Sequence, residues 1–245
     1  MSAGTVLRAA TLVVLLAFLL APEAFGPLFA PLTERGAPPI YVQADMLTLA
    51  VNHLALVFAA VFAATIVAVG LAIVVTRPFG TEFLPLSRSI ANIGQTFPPI
   101  AVLALAVPAL GFGAAPTFVA LFLYGLLPIF ENALTGLTNL QPTVRDAADG
   151  MGMTERQRLL RVELPLALPV ILAGIRLSTV IALATATIGS TVAASTLGEV
   201  IIAGLLTDNI AFILQGGLVV GALAVLIYDA FLWTERRLAR RMGRT

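Results

Sequence analysis

Lysine and cysteine are both absent from the 245 residues, histidine occurs once, at His53, and charged residues make up only 11% of the chain. Each shortage closes off some chemistry. Without lysine there is no phosphate-binding P-loop, whose Lys reaches the β- and γ-phosphates, and no Schiff-base catalysis. Without cysteine there are no disulfides, thiolate nucleophiles or zinc–thiolate sites, and the lack says nothing about compartment. One histidine cannot build a multi-histidine metal centre by itself. All 14 basic residues are arginine, in keeping with a biased base composition.

What remains is apolar. Hydrophobic residues make up 59% of the chain, and its share of charged residues is far below the roughly 25% of a soluble domain. This predicts an all-α membrane protein forming a single domain over residues 1–245. A spanning helix needs about 20 mainly apolar residues, and six candidate runs occur. The first covers residues 9–21 within an N-terminal extra span of about 6–30; the alternative is a signal-peptide core, since small residues follow it. The second runs from Leu54 to Val75 and is stopped by Arg77 and Pro78. The third, about 90–110, carries Pro98, Pro99 and Pro108, which predicts a kink or break that faces inward. The others are about 116–137, 166–191 and 211–233, so the core of the bundle is expected over about 47–236.

Arginine placement predicts orientation. With the N-terminus inside, Arg8, Arg77, Arg88, Arg145, Arg156, Arg158, Arg161, Arg236, Arg237, Arg240, Arg241 and Arg244 share the inner side, and the outer loops hold only Arg35. The positive-inside rule then places both termini in the cytoplasm. The long outer loop, rich in proline, is expected to be irregular or to lie along the interface. His53 and Trp233 are expected at the membrane interface, and Glu131, Asp229 and Arg176 are expected to anchor or pair helices.

The most polar stretch is DAADGMGMTERQRLLRVELP, residues 146–165. Its spacing predicts two short helices joined at a hinge. Thr143 is placed to cap the first, with Asp146 in its opening turn and Ala147, Ala148 and Met151 on one face. Gly150 and Gly152 permit a turn. Thr154 with Gln157 forms a capping box that restarts a helix until Pro165 stops it. Such an element either docks a soluble partner or is a solvated loop that only enforces topology.

The stretch resembles the EAA loop of the membrane-spanning subunits of bacterial binding-protein-dependent ABC importers, over about residues 140–165. The matching positions are Asp146, Ala147, Ala148, Gly152, Val162, Leu164 and Pro165, with Asp for the usual Glu and Val for the usual Ile. Further segments, among them NHLALV, QTFPPIAVLAL, LYGLLPI and VELPLALPVILAGIR, are similar to the permeases of osmoprotectant importers, over about residues 50–236. Two positions depart from that pattern: Glu131 replaces a basic residue, and AAST replaces a Gly-rich turn before Leu197 and Gly198. The resemblance implies a type I ABC importer permease fold of about six transmembrane helices in the bacterial cytoplasmic (inner) membrane. It implies a path for a small compatible solute, a quaternary amine such as glycine betaine, choline or carnitine. The partners it implies are ATP-binding-cassette ATPase subunits, a second permease subunit, identical or related, and an extracytoplasmic binding protein, with membrane lipid around the bundle and no nucleic acid. No cofactor is implied on this chain, and it would be no enzyme; ATP and Mg would be held by the ATPase. Asp146, Ala147, Ala148, Asp149, Gly150, Gly152, Leu164 and Pro165 would form the ATPase-coupling loop.

For the path, Ser178, Thr179, Thr185, Thr187, Ser190 and Thr191, with Pro98 and Pro99, are candidates; the other reading of these small residues is close helix packing. Rival functions are a permease of the same superfamily for another small solute such as an amino acid, an ion-coupled secondary transporter, and an intramembrane enzyme. No convincing internal repeat supports the second of these. The third lacks the HExxH and GxSxG patterns.

Overall fold

In the computed structural model, which describes residues 3–34 and 36–241, the regular structure among the described residues is entirely helical. Its longer segments are α1 Ala3–Leu20, α2 Met46–Val75, α3 Leu84–Thr96, α4 Pro99–Leu110, α5 Ala114–Thr138, α6 Pro142–Gly150, α7 Glu155–Ala186, α8 Gly198–Leu206 and α9 Ile210–Arg241, with shorter helical turns between some of them. Four of them, α2, α5, α7 and α9, are long and apolar enough to cross a membrane singly. Two further candidates are bent pairs: α1 with the short turns Pro22–Leu32, at 112°, and the segment Thr81–Thr96 with α4, at 96°. The third predicted span is therefore broken at Pro98 and Pro99, whereas Pro108, also expected to kink or break it, lies inside α4. Phe97 is extended and Pro98, at the N-cap of α4, has ψ 143°, as expected of backbone beside proline. The second span begins eight residues before the predicted Leu54. Asp45 caps it, its carboxylate accepting from the Thr48 N–H and hydroxyl, both at 2.7 Å; those bonds hold the Asp45 carboxyl below its ordinary pKa.

The chain divides into two compact units. The first comprises Met1–Ala59, Pro98–Leu121 and Ala182–Tyr228. Its core joins Leu15, Phe18, Phe29, Tyr41, Met46, Leu197, Val200 and Phe212. The loop before α2, predicted to be irregular, instead makes short helical turns over Pro22–Leu32 and is irregular only after them, and it is stitched down. The Gln215 side chain, fully buried, accepts from the Tyr41 N–H at 3.1 Å and donates to the Pro39 carbonyl at 2.7 Å. Asn209 donates to the Pro38 carbonyl and accepts from the Ala211 N–H at the start of α9. The Tyr41 hydroxyl donates to Glu199 at 2.8 Å, and burial together with that bond raises the phenol above its usual pKa. Arg35 and Arg244, used in the orientation pattern, lie outside the described residues.

His53 corrects an expectation. It is fully buried, and its Nε2 donates to the Leu183 carbonyl at 3.1 Å. The helix ends three residues later, at Ala186, so this carbonyl is one that a helix C-terminus leaves unpaired. The imidazole caps it.

The second unit comprises Ala60–Phe97, Phe122–Ile181 and Asp229–Thr245. Here α5 and α7 approach closely because the contact positions are small: a side-chain carbon on Gly136 would lie 3.2 Å from Ala167, and one on Gly174 only 2.7 Å from Asn132. Glu131 brings its own countercharge. Arg88 holds it through Nε at 2.7 Å and Nη2 at 3.1 Å, a bidentate pair. Arg176 pairs with Glu235 at 2.7 Å, and the Arg237 guanidinium lies 4.4 Å above the exposed Trp233 ring.

Candidate functional site

Residues 142–165 lie wholly in the second unit and form a corner closed by hydrogen bonds. Helix α6 starts at Pro142, whose missing N–H is harmless in the first turn and whose fixed φ suits it. Gln141 is therefore the N-cap, and no side chain caps it. Thr143, the predicted cap, sits one residue inside the helix. Gly150 is the last helical residue and makes no turn of its own. The turn belongs to Gly152, with φ +74°. The Met153 N–H reaches back to the Ala148 carbonyl at 3.1 Å and the Gly152 N–H to Asp149 at 2.9 Å, the paired bonds of a Schellman stop.

Two residues later the chain restarts. Thr154 Oγ1 accepts from the Gln157 N–H at 3.3 Å, and the Gln157 side chain accepts from the Thr154 N–H at 2.9 Å. This is the predicted capping box. Pro165 does not stop the helix that follows. Residues Leu159–Glu163 form a π turn, and α-helix resumes at Leu164. A widened turn relieves the clash between the proline ring and the carbonyls behind it, so α7 runs on to Ala186.

The corner sorts its residues by face. Asp146, Ala147, Asp149, Gly150, Met151 and Gly152 are exposed, whereas Ala148 is buried. Ala147 and Met151 thus share the outer face, four residues apart, and Ala148 points inward, a correction to the expected single face. Leu164 is half-buried and Pro165 exposed. Asp149 accepts from Arg158 across the corner at 2.5 Å. Behind it sits a residue that sequence reading passed over: Glu163, 1% exposed, with Arg77 Nη2 at 2.5 Å, Arg158 Nε at 3.3 Å and Arg145 Nε at 3.8 Å from its carboxylate.

The candidate path residues are divided between the two units. Ser178 and Thr179 are buried; Ser178 lies where Gly125 would carry a side chain, at 2.8 Å, and Thr179 donates to the Ile175 carbonyl at 2.7 Å. Thr185 is half-buried. In the first unit, Thr187 and Thr191 also donate to carbonyls of their own turn. Ser190 bonds to the Ala194 carbonyl and the Thr196 hydroxyl, closing the turn before α8. Pro98 is exposed and Pro99 half-buried at the start of α4. None of the eight lines the open cleft of the first unit. That cleft, about 390 Å³, is bounded by Asn52, Leu56, Ala114, Ala193, Ser195 and Thr196.

Comparison with known proteins gives concordant results. Residues 68–244 match the family model for "Binding-protein-dependent transport system inner membrane component". The chain is 40% identical over 197 residues to the osmoprotectant import permease protein OsmY of Salmonella typhimurium, covering 80% of this chain and 84% of that one. It is 38% identical over 190 residues to the choline transport system permease protein OpuBB of Bacillus subtilis, covering 76% and 85%. Among solved structures, inward-facing MetNI methionine ABC transporter aligns with a TM-score of 0.68 at 22% identity, over 76% of this chain and 93% of that one. An amino acid ABC transporter with histidines aligns at 0.66 and 17%, over 89% and 98%. The fold is that of a type I ABC importer permease.

Proposed function

Because the chain belongs to the family of binding-protein-dependent transport system inner membrane components, we propose that it is the permease subunit of an ATP-driven importer for a small quaternary amine such as glycine betaine, choline or carnitine. The solute class follows the relatives named above, which are permeases for osmoprotectants and choline. The observation that carries the coupling role is the exposed face of α6. Asp146 and Ala147 stand outward on a short helix, Met151 just past its end does likewise, and a Schellman stop fixes that end. A rigid, small-residue helix of this kind suits a groove in a soluble partner.

That partner is an ATPase subunit holding ATP and Mg; a second permease completes the path, and an extracytoplasmic binding protein delivers the solute. Closure of the ATPase dimer pushes α6, and the permease rocks between inward- and outward-open states as rigid bodies. Asn52 and Ser195 in the open cleft join the path candidates, since they offer neutral hydrogen-bonding groups without a charge that would trap a cation. The chain acts as one permease domain in the bacterial cytoplasmic membrane, with α6 and both termini inside.

The absence of cysteine makes orientation directly testable. Single Glu155→Cys and Val42→Cys variants, both at exposed positions, are treated in intact spheroplasts with a membrane-impermeant maleimide. Position 42 labels at once, and position 155 labels only after the membrane is opened. Labelling of position 155 from outside overturns the proposal.

A further inference from the structure

We infer that Glu163 is a positioning residue that makes α6 move together with α2 and α7, so that force applied to the exposed corner reaches the transmembrane helices. This rests on the reading of α6 as the ATPase-docking element. Three elements meet at this carboxylate. Arg77 lies just beyond the end of α2 and is itself only 7% exposed; its Nη2 is 2.5 Å from Glu163 Oε2. The other oxygen, Oε1, faces Arg158 Nε from the first turn of α7 and Arg145 Nε from α6. Arg145 also donates through Nη2 to the Leu137 carbonyl in the last turn of α5, at 2.8 Å. Arg158 reaches forward to Asp149 at the end of α6.

The local helix geometry is spent on this contact. In a regular α-helix, residues five apart point about 140° away from each other, so Arg158 and Glu163 would not meet. The π turn Leu159–Glu163 brings them to one side and turns the carboxylate inward. Burying a carboxylate is costly unless it is paired, and here it faces three guanidinium groups, of which Arg158 also pairs with Asp149. Removing it leaves those cations repelling one another at the base of α6. The exposed docking face, which Glu163 does not touch, stays intact.

The test uses the permease purified with its ATPase and reconstituted in proteoliposomes with the binding protein. Co-elution of the ATPase and the ATP hydrolysed per solute taken up are measured for the parent, Glu163→Gln, Glu163→Asp, Arg77→Gln and Arg145→Gln. Glu163→Gln is expected to retain the ATPase but to raise the ATP-to-solute ratio at least about tenfold, the size of effect that an unpaired buried charge carries. Arg77→Gln is expected to act alike, the double variant to be no worse than either single one, and Glu163→Asp to recover part of the coupling. Arg145, 38% exposed and farthest from the carboxylate, gives a smaller change in the same direction in a protein that still folds if Glu163→Gln does not. An unchanged ratio in Glu163→Gln, or in Arg145→Gln should the former not fold, overturns the inference, as does a multiplicative double variant. Asp146→Arg on the outer face separates the two failures. If that variant uncouples and the Glu163 and Arg145 variants do not, only the transmission role falls; if none uncouples, the docking reading falls with it.

Discussion

Gly152→Val is expected to leave the protein inserted and its helices formed, while binding-protein-stimulated ATP hydrolysis falls at least about tenfold. The strain arises in the backbone. Gly152 has φ +74°, and no atom lies within 4 Å of where a side-chain carbon would be built. Room is therefore not the obstacle. An L-residue in the left-handed region costs about 1–2 kcal/mol, and a β-branched one more. Because about 1.4 kcal/mol is a factor of ten, that strain is enough to open the Schellman stop in most molecules. The two bonds that end α6, from Gly152 and Met153, are then lost, and the outer face no longer holds its angle to α7. Two further substitutions identify the cause. Gly152→Asn should be milder, since Asn tolerates this conformation. Gly150→Ala, at a helical position that also has nothing within 4 Å, should be neutral or slightly stabilising. Normal stimulation in Gly152→Val would remove the corner from the mechanism.

Gly198→Ala is expected to act on the fold itself and to lower the apparent melting temperature by about 5–10 °C. A carbon added there would lie 1.9 Å from the Thr187 carbonyl oxygen, a backbone atom that cannot swing aside. The turn before α8 is held on all sides: Ser190 bonds Ala194 and Thr196, Thr196 donates to the Ala186 carbonyl, and Ala193 occupies the left-handed region at φ 62°. Overpacking such a site costs typically 1–3 kcal/mol, and more where backbone must shift. Gly217→Ala on α9, with nothing within 4 Å, is the matching control and should melt with the parent. Equal melting of Gly198→Ala and the parent would contradict the packing described for the first unit.

The parts of the fold legible in the sequence are those coded by neighbours. Apolar runs gave the spans, prolines 98 and 99 the break, and Thr154 with Gln157 the restart of α7, because each depends on a few adjacent residues. The left-handed glycine at 152 belongs to the same class. Glu163 was hidden for two reasons. Its nearest partner, Arg77, is 86 residues away, and its pairing with Arg158 exists only in a π turn, which a 3.6-residue period does not anticipate. Gln215 and His53 are similar cases, donating to carbonyls 176 and 130 residues distant. The hydroxyls of α7 and of the turn that follows it show the remaining ambiguity. A Ser or Thr in an apolar helix reads the same whether it lines a path or fills a contact, and only burial separates Ser178 and Thr179 from exposed Thr191.

The most direct measurement is uptake of radiolabelled glycine betaine, choline or carnitine into proteoliposomes holding the purified permease, with and without its ATPase, ATP–Mg and the loaded binding protein. Accumulation is expected only when all of these are present, and the permease alone should hydrolyse no ATP because it has no lysine from which a P-loop could be built. Accumulation by the permease alone, driven by an ion gradient and indifferent to ATP, would contradict the account.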